Sequence, residues 1–254
     1  MRPLKVLIGC ERSGVIRRAM AAAGHEAYSV DLAEAEDNPI PGSGSGTHLV
    51  GDVFQTLRAW PHLFDPLRIW DLFICHPECT YLSSSGLHWN KRVEGRELKT
   101  KQAVEFAVAL WRCGAENSRR MAMENPRGRL GPVMRELFGI EASFIQPYQF
   151  GDDASKGTCL WLHNLAPLRP TKFITPRMVC ECGHVTPKHE VEAGAQFCAG
   201  CDVPINSKKC KPRWANQTDG GQNKLPPSET RWMERSRTYD GPAAAIVSQW
   251  GSLQ

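Results

Sequence analysis

Cys79 has the setting of a nucleophile in this 254-residue chain. It closes the run His76-Pro77-Glu78-Cys79, just beyond an apolar stretch, and TYLSSSG follows it, which predicts a thiol on a rigid exposed turn. A thiolate presented in that way needs an acid or base beside it to complete a covalent step. Chain order supplies one in Glu124, within Glu124-Asn125-Pro126 at the end of the next apolar run. A free cysteine is more commonly a small buried hydrophobe, and that is the reading for Cys10, Cys75, Cys113 and Cys159.

A second set of thiols has metal-ligand character. Cys180-x-Cys182 and Cys198-x2-Cys201 bracket a 15-residue loop, the makings of a tetrahedral zinc site. The first pair has one intervening residue in place of the usual two, which leaves His184 or Cys210 open as a replacement ligand. So small a segment cannot build its own core, so metal binding would supply its folding free energy. Lys208, Lys209, Lys211 and Arg213, beside Trp214, form an acid-free run that suits phosphate contact and suits a solvated loop equally. Residues 171–237 hold 11 Lys/Arg against 7 Asp/Glu, and the rest of the chain 20 against 20, so the whole net charge of +4 lies there. A basic appendage on a neutral body fits a polyanion such as nucleic acid, with a solvated basic face as the alternative.

The elements that must position these groups follow from apolar periodicity. KVLIG (5–9) reads as a buried strand, and Val15, Ile16, Ala19, Met20 and Ala23 recur at helical spacing until Gly24 stops the helix. EAYSVDL is a second strand ending at Asp31, the Gly/Ser/Pro-rich NPIPGSGSGTH a mobile loop, HLVGDV a third strand edge and WDLFICHP a fourth strand. Residues 98–113 have helical periodicity, RRMAMENP is another strand, and TYDGPAAAIVSQWG restores a helical face near the C-terminus. Strands alternating with helices predict a doubly wound, mostly parallel α/β sheet. Ligands of such sheets collect beyond the carboxyl ends of the strands, which is where Gly9 to Gly14, Asp31, Gly51-Asp52, Cys79 and Glu124 fall. A glycine-bounded turn lets backbone N–H groups approach a ligand, and Asp31 is placed for ribose hydroxyls. Asp52 suits an adenine amino group, or the N-cap of a helix over VFQTLRAW.

The composition, 41% hydrophobic and 23% charged, is that of an ordinary soluble protein, and no apolar run approaches the length of about 20 that a membrane helix needs. The apolar stretch at the N-terminus is too short for a signal sequence, so the expected location is cytoplasmic, where ten cysteines mean metal ligands or a nucleophile and not a disulfide framework. The expected organisation is a catalytic domain over 1–170, a small basic zinc-binding segment over 171–237 and a C-terminal helix over 238–254 that returns to the first domain.

In this order the motifs resemble those of the S-adenosylmethionine-dependent DNA cytosine-5 methyltransferases, particularly the short phage and prophage proteins of that group. The resemblance covers residues 4–170 and the end of the chain. It implies a Rossmann-like methyltransferase fold, with S-adenosylmethionine held by Gly9, Cys10, Glu11, Ser13, Gly14, Asp31, Asp52, Val53 and Pro77. Pro77-Glu78-Cys79 stands for the nucleophile motif Pro-Pro-Cys, with Glu78 replacing the second proline, and Glu124-Asn125-Pro126 stands for Glu-Asn-Val. Gln149 to Lys156 occupies the place of Gln-x-Arg-x-Arg; Lys156 keeps one cation and the second arginine is absent. The implied chemistry has Cys79 adding to C6 of cytosine, Glu124 holding N3 and the exocyclic amine, and Lys156 steadying the base or its phosphate. The target base must be flipped out of a duplex or be single-stranded. DNA is the implied partner of a monomer, and the zinc segment stands where the family carries its target-recognition region. Two rival readings are an inactive nucleic-acid-binding module of the same fold, and a related enzyme that uses a modified donor or a free nucleotide.

Overall fold

The computed structural model describes residues 2–39, 44–64, 69–229 and 231–252. Of the loop expected between the second and third strands, residues 40–43 lie outside them. The chain divides into two compact units, one of residues 1–145, 157–169 and 243–254, the other of residues 146–156 and 170–242.

The first unit is built on β1 (Lys5–Gly9), α1 (Val15–Ala22), β2 (Glu26–Asp31), β3 (Thr47–Val50), α2 (Val53–Phe64), β4 (Leu72–Cys75), α3 (Ser84–Leu87), α4 (Arg96–Asn117), β5 (Met121–Pro126), α5 (Leu130–Phe138), β6 (Ser143–Ile145) and β7 (Thr158–His163). Its sheet has the order β3-β2-β1-β4-β5-β7-β6. Pairing is parallel from β3 through to β5, and β7 runs antiparallel to both β5 and β6. This is the doubly wound, mostly parallel α/β arrangement that the sequence implies, with an antiparallel edge that its periodicity did not disclose. β1 and β4 are central and covered on both faces, which is why KVLIG and LFIC are continuous apolar runs without alternation.

Chain punctuation sets the helices. α1 ends in a Schellman arrangement, with Gly24 at φ 87° donating its N–H to Ala21 O and His25 donating to Met20 O. The same helix buries Arg17 completely beside Ile16 and Met20. That charge is balanced by Asp37, whose two oxygens each accept from the guanidinium at 2.6 Å, with a further bond to Ser45 O at 2.7 Å. α4 runs longer than the 98–113 expected from periodicity, because Gly95 begins it in the left-handed region. The core joins Leu7, Phe73, Trp70, Leu110, Trp111, Met121, Met123 and Trp161. Cys75, Cys113 and Cys159 are buried as the sequence reading holds.

The second unit carries β8 (Arg177–Cys180), β9 (Val185–Thr186), α6 (Lys188–Glu192), β10 (Cys210–Arg213) and α7 (Arg231–Ser236). Its three strands pair antiparallel in the order β10-β8-β9. Trp214 stacks on Tyr148 with ring centroids 4.1 Å apart and donates its indole N–H to Ile174 O at 3.4 Å, so this aromatic is committed to packing. Helix α8 (Asp240–Trp250) closes the chain, and its residues from Ala243 onward belong to the first unit, where the Trp250 indole donates to Ala166 O at 3.0 Å. No helix among the described residues is long and apolar enough to cross a membrane.

Candidate active site and metal centre

Five strand ends of the first unit carry the residues singled out by chemistry. After β4, the chain turns through His76, Pro77, Glu78 and Cys79, and the Cys79 carbonyl accepts from the N–H groups of Leu82 and Ser83 at 3.1 and 2.9 Å. The Cys79 side chain is partly exposed, in contrast to the buried thiols of the core. The turn is tied to the end of β5 at several points. Asn125 donates its side-chain amide to Pro77 O at 2.7 Å, Ser84 N–H donates to Arg127 O at 2.9 Å, and Arg129 N–H donates to Leu82 O at 2.8 Å. Gly128 is required here, since a Cβ at that position would collide with the Leu82 carbonyl oxygen. The nucleophile candidate and the strand end bearing Glu124 are thus parts of one hydrogen-bonded structure.

His76, which the sequence reading left without a role, is the partner of Glu124. Its Nδ1 lies 3.0 Å from Glu124 Oε2, and both side chains are mostly buried. Register would have found it. β4 and β5 pair in parallel with Cys75 opposite Met123, so the next residue on each strand brings His76 to Glu124.

The loop after β1 is occupied largely by the protein itself. Cys10 takes φ 59°, and the N–H groups of Cys10 and Glu11 donate to Val30 O at 2.8 and 3.4 Å. Glu11 is turned inward, 4% exposed, with Oε1 accepting from Ile16 N–H at 2.9 Å, so that it caps α1. Burial pushes its carboxyl up, against the hydrogen bond from Ile16 N–H and the charge of Arg17. Ser13 is buried and Gly14 holds the left-handed residue ahead of α1 at φ 64°. Gly9 packs tightly on Phe73 and Val53, and so fixes the rim from inside.

Asp31 and Asp52 stand at the ends of β2 and β3. One Asp31 oxygen accepts from Ala33 N–H at 3.0 Å, and one Asp52 oxygen caps α2 by accepting from Gln55 N–H at 2.9 Å, so the helix-cap reading of Asp52 is realised. Both carboxylates act on Cys10, whose thiol is pushed up to about 12 by burial first and by their negative charge second. Arg17 and Arg18 both pair with Asp37, and Arg12 in the loop donates its Nε–H to Glu34 O at 3.2 Å. The Asp31 and Asp52 carboxylates can accept from hydroxyl and amino donors, so the residues fit S-adenosylmethionine.

In the second unit the sulfurs of Cys180, Cys182, Cys198 and Cys201 all lie within 4.8 Å of one another, with Cys180–Cys201 and Cys182–Cys198 at 3.6 Å. Four thiolates about 2.3 Å from a zinc ion stand about 3.8 Å apart at tetrahedral corners, so the donor set fits zinc. Two tight turns build it. Gly183 N–H donates to Cys180 O at 2.9 Å, and Cys201 and Asp202 donate to Cys198 O at 3.2 and 2.9 Å. The Cys182 backbone N–H brings the Cys180 thiol down to about 6 against the pull of burial, whereas burial pushes the Cys198 thiol up. Cys210 lies outside this group of four as the cross-strand neighbour of Cys180, and His184 likewise stands outside it.

Lys156 belongs to the second unit, where its Nζ donates to the carbonyls of Ser236 and Arg237 at 3.1 and 2.9 Å. Lys208, Lys209 and Lys211 are exposed, and Lys211 Nζ donates to Lys208 O at 2.7 Å. Arg213 is folded back on Asp219 O at 2.9 Å.

No protein-family model matches this sequence, and no curated protein matches it. Among solved structures the chain is similar to a prophage-encoded protein of E. coli assigned as a DNA modification methyltransferase, with 14% identity over 67% of this chain and 51% of that one and a TM-score of 0.45. It is similar to a methyltransferase of Entamoeba histolytica, with 13% identity over 69% of this chain and 59% of that one and a TM-score of 0.44. A third is the magnesium protoporphyrin IX methyltransferase of Synechocystis, with 13% identity over 63% of this chain and 69% of that one and a TM-score of 0.37. The chain spans about half the length of the first of these, 51%.

Proposed function

We propose that this protein methylates C5 of cytosine in DNA. The observation that carries the reading is the joined architecture of the two strand ends, in which the Cys79 turn is hydrogen-bonded to the end of β5 through Asn125, Arg127 and Arg129. Cytosine C5 is a poor nucleophile, so the Cys79 thiolate adds at C6, and Glu124 hydrogen-bonds N3 and the exocyclic amine as negative charge develops there. C5 then carries enamine character and takes the methyl group; loss of the C5 proton expels the cysteine and restores the ring. S-adenosylmethionine, when bound along Gly9 to Gly14, Asp31, Asp52, Val53 and Pro77, supplies an electrophilic methyl on a sulfonium. Asp31 and Asp52 orient the nucleoside part by accepting from its hydroxyl and amino groups. Lys156 is the third candidate for contact with the base or its phosphate, and it would share its ammonium with the Ser236 and Arg237 carbonyls. Residues 171–237 act as a zinc-held clasp whose exposed lysines meet phosphate.

The test is nucleoside mass analysis of DNA from cells expressing the protein. 5-Methylcytosine should accumulate with the wild type and not with Cys79→Ala. An N-methylated base as product, or 5-methylcytosine made equally by Cys79→Ala, would overturn the proposal.

A further inference from the structure

The segment that runs from the Cys79 turn into α4 carries aromatic rings and cations that the chemistry above does not use. Residues 88–101 hold five Lys/Arg, at 91, 92, 96, 99 and 101, against two Glu, at 94 and 97, a local excess in a part of the chain whose charges otherwise balance. Val93 N–H donates to Trp89 O at 3.0 Å, and the Asn90 side-chain amide donates to Thr100 Oγ1 at 3.0 Å, so the segment is folded back on the helix. Arg96 ties it to the nucleophile turn, donating from Nη2 to Thr80 O at 3.1 Å and from Nε to Gly86 O at 3.4 Å. The Arg96 guanidinium lies 4.9 Å and the Lys99 ammonium 5.8 Å from the centre of the Tyr81 ring, and the Arg92 guanidinium 5.7 Å from that of Trp89. Trp89 is 45% exposed, and Arg92 and Lys99 are exposed with it. Among the described residues, no carboxylate pairs with Arg92, Arg96 or Lys99.

We propose that this surface docks single-stranded DNA, with an unpaired base stacked on Trp89 and the cations at 92, 96 and 99 on the phosphates beside it. Every base has a face that an aromatic ring can cover, and a run of phosphates matches cations that have no acid of their own. The ring decides strandedness. In a duplex both faces of a base are covered by its neighbours, so an exposed indole gains a contact only where bases are unstacked. A strand held here passes the Cys79 turn, because Tyr81 is two residues from Cys79 and Arg96 is bonded to the carbonyl of Thr80 between them. The bearing on methyl transfer rests on the function proposed above; the binding itself does not.

The experiment titrates the full-length protein, without methyl donor, with one fluorescently labelled oligonucleotide presented as a single strand and as a duplex. Wild type should bind the single strand more tightly. Trp89→Ala should weaken that binding about 10- to 100-fold, the worth of one stacked base, and shift duplex binding by less than about threefold, while Trp89→Phe should recover most of the loss. Arg92→Gln together with Lys99→Gln should reduce the slope of log affinity against log salt by about 0.7 for each phosphate contact removed. Single-strand affinity unchanged in Trp89→Ala, or lost equally for single strand and duplex, would overturn the proposal, as would tighter binding of the duplex by wild type. Should the Trp89 effect appear and no 5-methylcytosine form in cells, the function proposed above fails and the surface stands. Should 5-methylcytosine accumulate while Trp89→Ala binds single strands like wild type, the surface fails and the function stands.

Discussion

The side-chain amide of Asn125 donates to the carbonyl oxygen of Pro77 at 2.7 Å, in a position only 1% exposed. Glu124 stands one residue before Asn125, and Cys79 two residues after Pro77. The bond therefore joins the candidate nucleophile and the candidate acid at the level of the backbone, before either side chain is considered. Asn125→Ala should cost about 1–3 kcal/mol in denaturant unfolding, the penalty of stranding a buried carbonyl. Asn125→Asp should be worse than Asn125→Ala, because it buries a charge where the amide stood. Equal stability of the two variants and wild type would remove the clamp from the account.

The fully buried Arg17 and its partner Asp37 predict how the fold responds to acid. Burial pushes the Asp37 carboxyl up, but hydrogen bonds and charge from Arg18 and Arg17 outweigh it and hold the group below its ordinary value of 3.8. A carboxylate depressed in the folded state contributes stability that is complete above the unfolded value and is lost as pH falls through the folded one. Denaturation curves from about pH 5 down to about pH 2 should show that loss in wild type. Asp37→Ala should flatten it and cost about 3–5 kcal/mol at neutral pH, because Arg17 is left buried without compensation. An unchanged acid limb in the variant would contradict this.

Purified protein should contain about one zinc per chain, because four gathered thiolates need a metal to offset ordering a segment with so little core. Elemental analysis measures it. Cys198→Ser should lose the metal, and Cys210→Ser should retain it, since Cys210 stands beside Cys180 in the ladder but outside the group of four. After chelation, limited proteolysis should cut within 171–237. Metal retained by Cys198→Ser, or lost by Cys210→Ser, would reassign the ligand set.

Much of this was legible in residue types and spacing. Continuous apolar runs gave β1 and β4, because a central parallel strand is buried on both faces and hides nothing in alternation. The four cysteines of the metal group were readable because ligand spacing is local. β6 and β7 were not: SFI is three residues long, and TCLWLH, lying on β5, has no signal that it runs antiparallel. Glu11 read as a rim residue and is instead turned inward on α1, because a carboxylate near a helix N-terminus satisfies N–H groups that would otherwise be stranded. His76 escaped for a different reason. Its partner lies 48 residues away, and only the register of two parallel strands brings the pair together.

The acidic rim makes a separate prediction for cofactor affinity. Asp31→Ala should weaken S-adenosylmethionine binding by about tenfold, on the order of one charged hydrogen bond. Because Asp52 also caps α2, Asp52→Asn is the better variant there: it preserves the cap at Gln55 N–H and removes the charge. Calorimetry showing unchanged affinity in both variants would move the cofactor away from this rim.

The central claim is that Cys79 attacks C6 of cytosine, and a covalent adduct tests it most directly. Fluorine at C5 cannot leave as a proton, so DNA carrying 5-fluorocytosine should halt the reaction after methyl transfer, with the cysteine still attached. With S-adenosylmethionine present, intact mass analysis under denaturing conditions should show wild-type protein heavier by the DNA strand, and peptide mapping should place the link at Cys79. Cys79→Ala should show no adduct. An adduct of equal yield in Cys79→Ala, or none in wild-type protein that binds both zinc and cofactor, would contradict the account.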